Sequence, residues 1–467
     1  MQHIDGRFGG ASTSSAAQIG EDAVAANKQP LSLSAAQSDS SVEIMPGSPK
    51  TVRETGLDRL LIIELIGKTI FLFGKIHLPI LAARLKLSIN VLNEVLGFMV
   101  AEHMAEIVRR GASDIDVEYQ LTDAGKQRAG EFMSRCRYIG PAPVTLSAYR
   151  EMIERQSVRS NRVTQQDLAA AFADFTLNPG VRDQVGAAMN SGRPLFLYGP
   201  AGSGKTYLAE KLGRLMHGLV AVPHAIVVEN EIIQVFDPLI HQAVPIEPAS
   251  ESLDRRTSDG RWLMCQRPIV LTGGELTLPM LELRYDYGTG FYQAPPHFKA
   301  NSGIFIVDDL GRQQVAPKDL MNRWIVPLDR ACDHLTLHTG YKFTVPFDVS
   351  VVFSTNLRPE SLADESFMRR LGYKIHVGPM SEGEYRDVLR EHGRALGVDY
   401  DESGFRYLVD ELHAKGERPL LACYPRDLLG QVVDYARYRG EPPAMTAQAL
   451  KQAWSTYFAK HDETVDS

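Results

Sequence analysis

The sequence predicts an α/β protein: a parallel sheet with a phosphate-binding loop, closed by a helical lid and preceded by a small α+β domain. Three observations carry this. The stretch Gly199-Pro200-Ala201-Gly202-Ser203-Gly204-Lys205-Thr206 fits the P-loop pattern G-x-x-x-x-G-K-[ST]. The stretch Gly303-Ile304-Phe305-Ile306-Val307-Asp308-Asp309 is an apolar run ending in acids, the form of a buried parallel strand. From residue 381 onward the pattern is helical.

The flanks of the first motif suit it. Pro194 to Tyr198 is a short apolar run of strand type, and Tyr207 to Met216 has apolar residues at helical spacing. Strand, glycine-rich loop and helix aim backbone N–H groups and a helix N-terminus at one point, which binds phosphate. Gly199, Pro200, Ala201, Gly202, Ser203 and Gly204 are expected to form the cradle for ATP. Lys205 is expected to reach the β- and γ-phosphates, and the Thr206 hydroxyl to ligate Mg²⁺.

Bulk properties narrow the class. A chain of 467 residues accommodates about three domains. A net charge of −7 gives no electrostatic case for a polyanion partner across the whole molecule. Cys136, Cys265, Cys332 and Cys423 lie far apart, which argues against a disulfide framework or zinc site and for a reducing, cytoplasmic compartment. No signal peptide is read at the N-terminus. The most apolar run, Leu60 to Phe73, is too short to span a bilayer and contains Glu64 and Lys68, so no membrane insertion is expected.

Residues 1–52, rich in Ser, Ala, Gln and Gly, are expected to be a disordered tail. A small domain follows over 53–140. Gly56 to Phe73 reads as an apolar helix, His77 to Leu85 as a second, and Ile89 to Met104, capped by Ser88, as a third. Glu106 to Arg110 and Val117 to Leu121 read as strands around Gly111-Ala112-Ser113-Asp114, and Thr122 caps a closing helix. This order, with its Tyr119–Ala129 ending, resembles winged-helix domains. Such a resemblance implies DNA binding, but charge opposes it. The domain carries twelve Lys and Arg against eleven Asp and Glu within 51–140, and Ile89 to Met104 has Glu94 and Glu102 but no Lys or Arg. Phosphate neutralisation supplies most non-specific DNA affinity, so a protein partner is favoured over DNA, with Arg109 and Arg110 a thin basic footprint.

Residues 141–180 read as a helical linker, with Gly140-Pro141-Ala142-Pro143 breaking the chain, a helix over Leu146 to Gln156 and another capped at Thr164. The nucleotide-binding core is assigned to 181–380, beginning with a helix over Val181 to Asn190. In the acidic strand end, Asp308 is expected to hold Mg²⁺ and Asp309 to orient or activate the attacking water. Ser350 to Asn356 is a third strand, whose Asn356 reaches the same cleft.

These motifs together resemble AAA+ ATPases over about 181 to 467. The P-loop resembles their Walker A, 304–309 their Walker B and Ser354-Thr355-Asn356 their sensor 1. Glu365 to Leu371 looks like the segment ending in their arginine finger, which assigns that role to Arg370, with Arg369 the alternate. Pro425-Arg426-Asp427 is similar to sensor 2, placing Arg426 on the nucleotide from the lid side. Gly290 to Tyr292, Ala300 to Gly303 and Thr344 to Phe347 resemble the MoxR-type, helix-2-insert ATPases. The resemblance implies a homo-oligomeric ring, a hexamer, that remodels or matures an unidentified protein client in a chaperone-like way. A DNA-associated ATPase and a slow nucleotide-gated scaffold are the alternatives. One departure bears on rate: the family's Walker B ends Asp-Glu, and here it ends Asp308-Asp309. The shorter side chain alters reach to the water by on the order of 1.5 Å.

About 100 residues separate Lys205 from Asp308, leaving room for an insertion. Leu276 to Tyr292 reads as a hairpin whose Tyr285, Tyr287, Phe291 and Tyr292 either grip an extended polypeptide or pack on the core. Asp319 to Arg330 reads as a helix that places Arg323 and Arg330 near a subunit boundary. The lid, 381–467, is expected to hold four helices: Ser381 to Leu396, opened by the Ser381–Glu384 capping box, Ser403 to Ala414, Pro425 to Arg439, and Thr446 to Ala459.

Overall fold

The computed structural model describes residues 45–113, 115–245, 258–362 and 365–458, except for the side chains of 365 and 366. Most of the expected tail, and the end of the last expected helix, lie outside these residues. Residues 45–52, assigned by sequence to the tail, are instead anchored. The Pro46 carbonyl accepts from Asp259 N at 2.8 Å, the Ser88 hydroxyl donates to Pro49 O at 2.6 Å, and Thr51 caps a short helix Val52–Thr55.

The helix Arg59–Phe73 starts three residues later than its apolar pattern suggests, because Asp58 caps it by accepting from Leu60 N. Leu61, Ile62, Leu65, Ile66 and Ile70 are buried along it. Strand β1 (Lys75–His77), helices Leu78–Leu85 and Ile89–Ala101, β2 (Ala105–Arg110), β3 (Val117–Leu121) and helix Asp123–Arg135 complete this region. The strands form an antiparallel sheet in the order β1-β3-β2. The third helix ends at Ala101, and it exposes Asn90, Asn93, Glu94, Gly97 and Phe98.

After β4 (Val144–Thr145) and helices Leu146–Arg155, Gln165–Ala171 and Pro179–Ser191, β5 (Leu195–Tyr198) enters the core. The P-loop helix runs Lys205–Lys211 and tightens into a 3₁₀ turn over Leu212–Leu215. There follow β6 (Leu219–Pro223), β7 (Ala225–Val228), β8 (Glu231–Gln234), β9 (Trp262–Gln266), β10 (Ile269–Thr272), β11 (Arg284–Asp286), β12 (Phe291–Gln293) and β13 (Ile304–Val307). Helix Pro317–Arg330, β14 (Cys332–Thr336), β15 (Lys342–Pro346), β16 (Ser350–Thr355) and β17 (Tyr373–His376) complete the sequence of strands.

Among the described residues five strands form the expected parallel sheet, in the order β10-β13-β16-β5-β17. Its three central strands, β13, β16 and β5, are buried on both faces, which is why they read as unbroken apolar runs. The insertion between the P-loop and β13 supplies a β6–β9 antiparallel pair and most of a second sheet, β11-β12-β8-β7-β4. The parallel β4–β7 pair brings the linker into that second sheet.

Two groups of side chains singled out in the sequence are held within the chain. The aromatic hairpin packs rather than projects: Tyr292 is 1% exposed and hydrogen-bonded to His338, Tyr285 stacks on that imidazole, and Phe291 meets Tyr138 edge-on, leaving only Tyr287 of the four extended into solvent. Arg323 is occupied within its own chain, donating to both oxygens of buried Asp333 at 2.8 and 2.9 Å and to Glu282 at 3.0 Å.

The lid consists of helix Glu382–Leu396, opened by the expected reciprocal Ser381–Glu384 capping box, then Glu402–Arg406 widening into a π-helix over Tyr407–His413, then Cys423–Arg439 and Ala447–Tyr457. Tyr385, Leu389, Phe405, Leu408, Leu428 and Leu450 fill its core. No helix among the described residues is long and apolar enough to cross a membrane.

Candidate functional site

The carboxyl ends of β13, β16 and β5 lie side by side, because Val307 pairs with Phe353 and Thr355 with Tyr198. Side chains just past these ends converge on the glycine-rich loop. The loop needs its glycines where it bends: Gly199 has φ 150°, and a Cβ there would sit 2.1 Å from the Val377 carbonyl oxygen. Gly202 has φ 83°, and its Cβ would meet Cys423 Sγ at 2.5 Å. Only glycine allows both the backbone conformation and the close approach.

Lys205 Nζ donates to Gly199 O at 3.1 Å, Pro200 O at 2.9 Å and Asn356 Oδ1 at 2.8 Å. Burial lowers its pKa, while the charges of Asp308 and Asp309 act in the opposite direction. The Thr206 hydroxyl donates to Asp308 Oδ2 at 2.8 Å. The other Asp308 oxygen, Oδ1, is buried with no partner among the described residues, as is Ser203 Oγ. Asn356 Nδ2 lies 3.4 Å from Asp309 Oδ1, so Asn356 bridges the lysine and the second acid. Asp309 itself has φ 48°, in the left-handed region that Asp tolerates better than most residues.

A cavity of about 530 Å³ opens between this sheet edge and the lid. Lys205, Thr206, Asp309, Arg312 and Asn356 line one part of it; Phe175, Tyr207, Val388, His392 and Arg426 line others. The Phe175 and Tyr207 rings meet edge-on at 5.0 Å. The lid is joined directly to the loop, since Cys423 N donates to Gly202 O at 3.1 Å. On the lid side, burial and then the Asp174 charge raise the Glu391 pKa, while burial and then the Arg426 charge lower that of His392.

The structure therefore brings Lys205, Thr206, Asp308, Asp309 and Asn356 together, with Ala201, Gly202, Gly204 and Arg426 on the cavity wall. Arg426 is mostly exposed and holds Asp427 at 2.9 Å. Arg369 and Arg370 are not on the wall: Arg370 donates to both oxygens of Asp329 at 2.9 and 2.8 Å. Sequence reasoning missed Asp174, Phe175, Glu391 and His392, and also Arg312 and Gln313. The only signal for the last two was Gly311, which marks a turn directly after the acids.

These donors fit a Mg²⁺-bound nucleoside triphosphate. An orphaned carboxylate oxygen stands beside a hydroxyl, and an ammonium has only neutral oxygens as direct hydrogen-bond acceptors, so a phosphate can replace them.

Among family models, a domain of unknown function, DUF8689, matches residues 381–456, the lid. No curated protein matches the chain. Among solved structures it is similar to NtrX from Brucella abortus, at 14% identity and a TM-score of 0.37, over 61% of this chain and 57% of that one. It is also similar to the RuvB Holliday junction branch migration motor of Thermotoga maritima, at 12% identity and a TM-score of 0.34, over 66% of this chain and 76% of that one. The chain thus spans 57% of the NtrX chain it matches.

Proposed function

We propose that this chain is an ATPase of AAA+ type that couples nucleotide state to the position of its lid, works as a homo-oligomeric ring and acts on a protein partner. The observation that carries the reading is the meeting of Lys205, the Thr206–Asp308 pair and the Asn356–Asp309 pair at one sheet edge under a lid bonded to the P-loop.

Lys205 and the loop amides would hold the phosphates, and Thr206 and Asp308 would hold Mg²⁺. When bound, Mg²⁺ neutralises charge on the phosphate oxygens. Asp309, steadied by Asn356, orients the attacking water and takes its proton. An aspartate there has less reach than a glutamate, which suits slow hydrolysis. Arg426 and the Cys423–Gly202 contact link the phosphate end to the lid, so a change in phosphate occupancy changes how the lid is held. Arg370, away from its own cavity, acts on the neighbouring subunit's nucleotide, with Arg369 the alternate. The strands β11 and β12 between β10 and β13 are consistent with a helix-2-insert subtype. A protein client is favoured over DNA because the exposed face of helix Ile89–Ala101 carries no cation.

The test mixes two inactive variants. Arg370→Ala and Asp309→Ala should each bind ATP and turn over poorly, while their mixture recovers part of the activity, since one interface can pair an intact Asp309 with an intact Arg370. A mixture no more active than its parts sinks the ring reading.

A further inference from the structure

One basic side chain on the cavity wall has no part in the roles above. Arg312 lines the cavity with Lys205, Asp309 and Asn356, and no carboxylate among the described residues pairs with it. Arg426, by contrast, is held by Asp427, and Arg370 by Asp329.

The turn that presents Arg312 is tightly specified. Asp309 at φ 48° and Gly311 at φ 104° reverse the chain, and Arg312 N donates to Asp309 O at 2.9 Å. The φ of Gly311 is one that side chains with a Cβ rarely adopt, and a Cβ there would also press on Leu357 Cδ1 at 2.8 Å, so the turn favours glycine. Buried Gln313 pins it from behind. Its amide nitrogen donates to Gly273 O at 3.2 Å and Asp308 O at 3.1 Å, and its oxygen accepts from Gly311 N at 2.8 Å. A single side chain thus ties the ends of β10 and β13 to the turn. A guanidinium presented from a backbone held in this way loses less freedom when it engages an anion.

Charge gives the turn a purpose. At this end of the cavity the carboxylates of Asp308 and Asp309 face one ammonium, Lys205. Even with Mg²⁺ held at Asp308, a triphosphate beside two carboxylates carries more negative charge than the ion and Lys205 balance, so further positive charge favours it. We infer that Arg312 is a second phosphate-directed cation of the cavity, presented by the turn that Gln313 pins, and that it favours a nucleoside triphosphate over a diphosphate. This rests on the nucleotide-binding reading above and names what the site discriminates.

Calorimetric binding of a non-hydrolysable ATP analogue and of ADP, each with Mg²⁺, to the full chain tests it. Arg312→Ala should weaken the triphosphate about ten-fold more than the diphosphate, the scale of one charged hydrogen bond. Arg312→Lys keeps the charge without the planar fork and should recover part of that preference. Gln313→Met keeps the length and adds no charge but cannot bond Gly273, Asp308 or Gly311, and should shift the preference the same way without changing Arg312 itself. A triphosphate-to-diphosphate ratio in Arg312→Ala within about two-fold of wild type overturns the inference alone, provided wild type binds both nucleotides. Failure of wild type to bind either nucleotide overturns the reading beneath it and the inference with it.

Discussion

Replacing Asp309 by Glu changes the reach of one carboxylate and little else. In the structure Asp309 Oδ1 stands 3.4 Å from Asn356 Nδ2, a long contact held by a backbone at φ 48°. Glutamate advances the carboxylate by about 1.5 Å, and a misplacement of about 1 Å costs up to a hundred-fold when geometry controls attack. The left-handed backbone favours Asp over Glu, at a cost of about 1 kcal/mol or less, which is small beside that effect. Turnover in Asp309→Glu should therefore differ from wild type by about ten-fold or more, with ATP affinity held within about two-fold. Asp309→Ala should lose about a hundred-fold in turnover at similar affinity, the contribution of a positioned general base. Single-turnover hydrolysis with separately measured binding reads both quantities. If both variants hydrolyse ATP at the wild-type rate, another group handles the water and the assignment of Asp309 is wrong.

Two further predictions concern what holds the fold. Burial pulls the pKa of His413 from 6.5 down to about 4, and its ring joins the Tyr385 hydroxyl at 2.9 Å to the Arg418 carbonyl at 3.1 Å. The folded lid thus prefers the neutral ring, so stability is complete above pH 6.5 and is lost as pH falls toward 4, by about 3 kcal/mol at most. Hydrogen exchange across 405–413 should quicken over that window in wild type and not in His413→Phe; equal pH slopes in both would remove His413 as the cause. Burial raises the Asp333 pKa, but hydrogen bonds from His297 and Arg323 outweigh it and bring it down to about 2. Arg323→Ala leaves that buried carboxylate without its bidentate partner and should cost about 3–5 kcal/mol in denaturant unfolding, whereas a loss under about 1 kcal/mol would mean the pair is a surface contact in effect.

The chemistry was more legible in the sequence than its surroundings. Leu195–Tyr198, Ile304–Val307 and Ser350–Thr355 are strands buried on both faces, so their apolar runs had one reading once the P-loop fixed the context. The Ser381–Glu384 box announced the lid because both halves of the cap lie within four residues. Lys75–His77 was missed because a three-residue strand with two polar side chains has no period to detect. The second sheet was missed because β4 and β7 pair across 82 residues, as Val144 with Ile226, and no local pattern records that. The π-helix over Tyr407–His413 keeps a helical apolar pattern, so only its hydrogen bonds reveal it. Phe175 and Arg312 escaped for a related reason: each reaches the cavity through a turn, and motif spacing does not say which way a turn faces.

The most direct measurement is steady-state hydrolysis of Mg²⁺-ATP by the full chain beside Lys205→Ala, with binding of ATP followed in parallel. The site as described predicts slow but saturable turnover in wild type. In Lys205→Ala it predicts ATP affinity reduced about ten-fold or more and turnover lost, because the phosphates lose the ammonium that Gly199, Pro200 and Asn356 now hold in place. Wild-type affinity and wild-type turnover in Lys205→Ala would contradict the account at its centre.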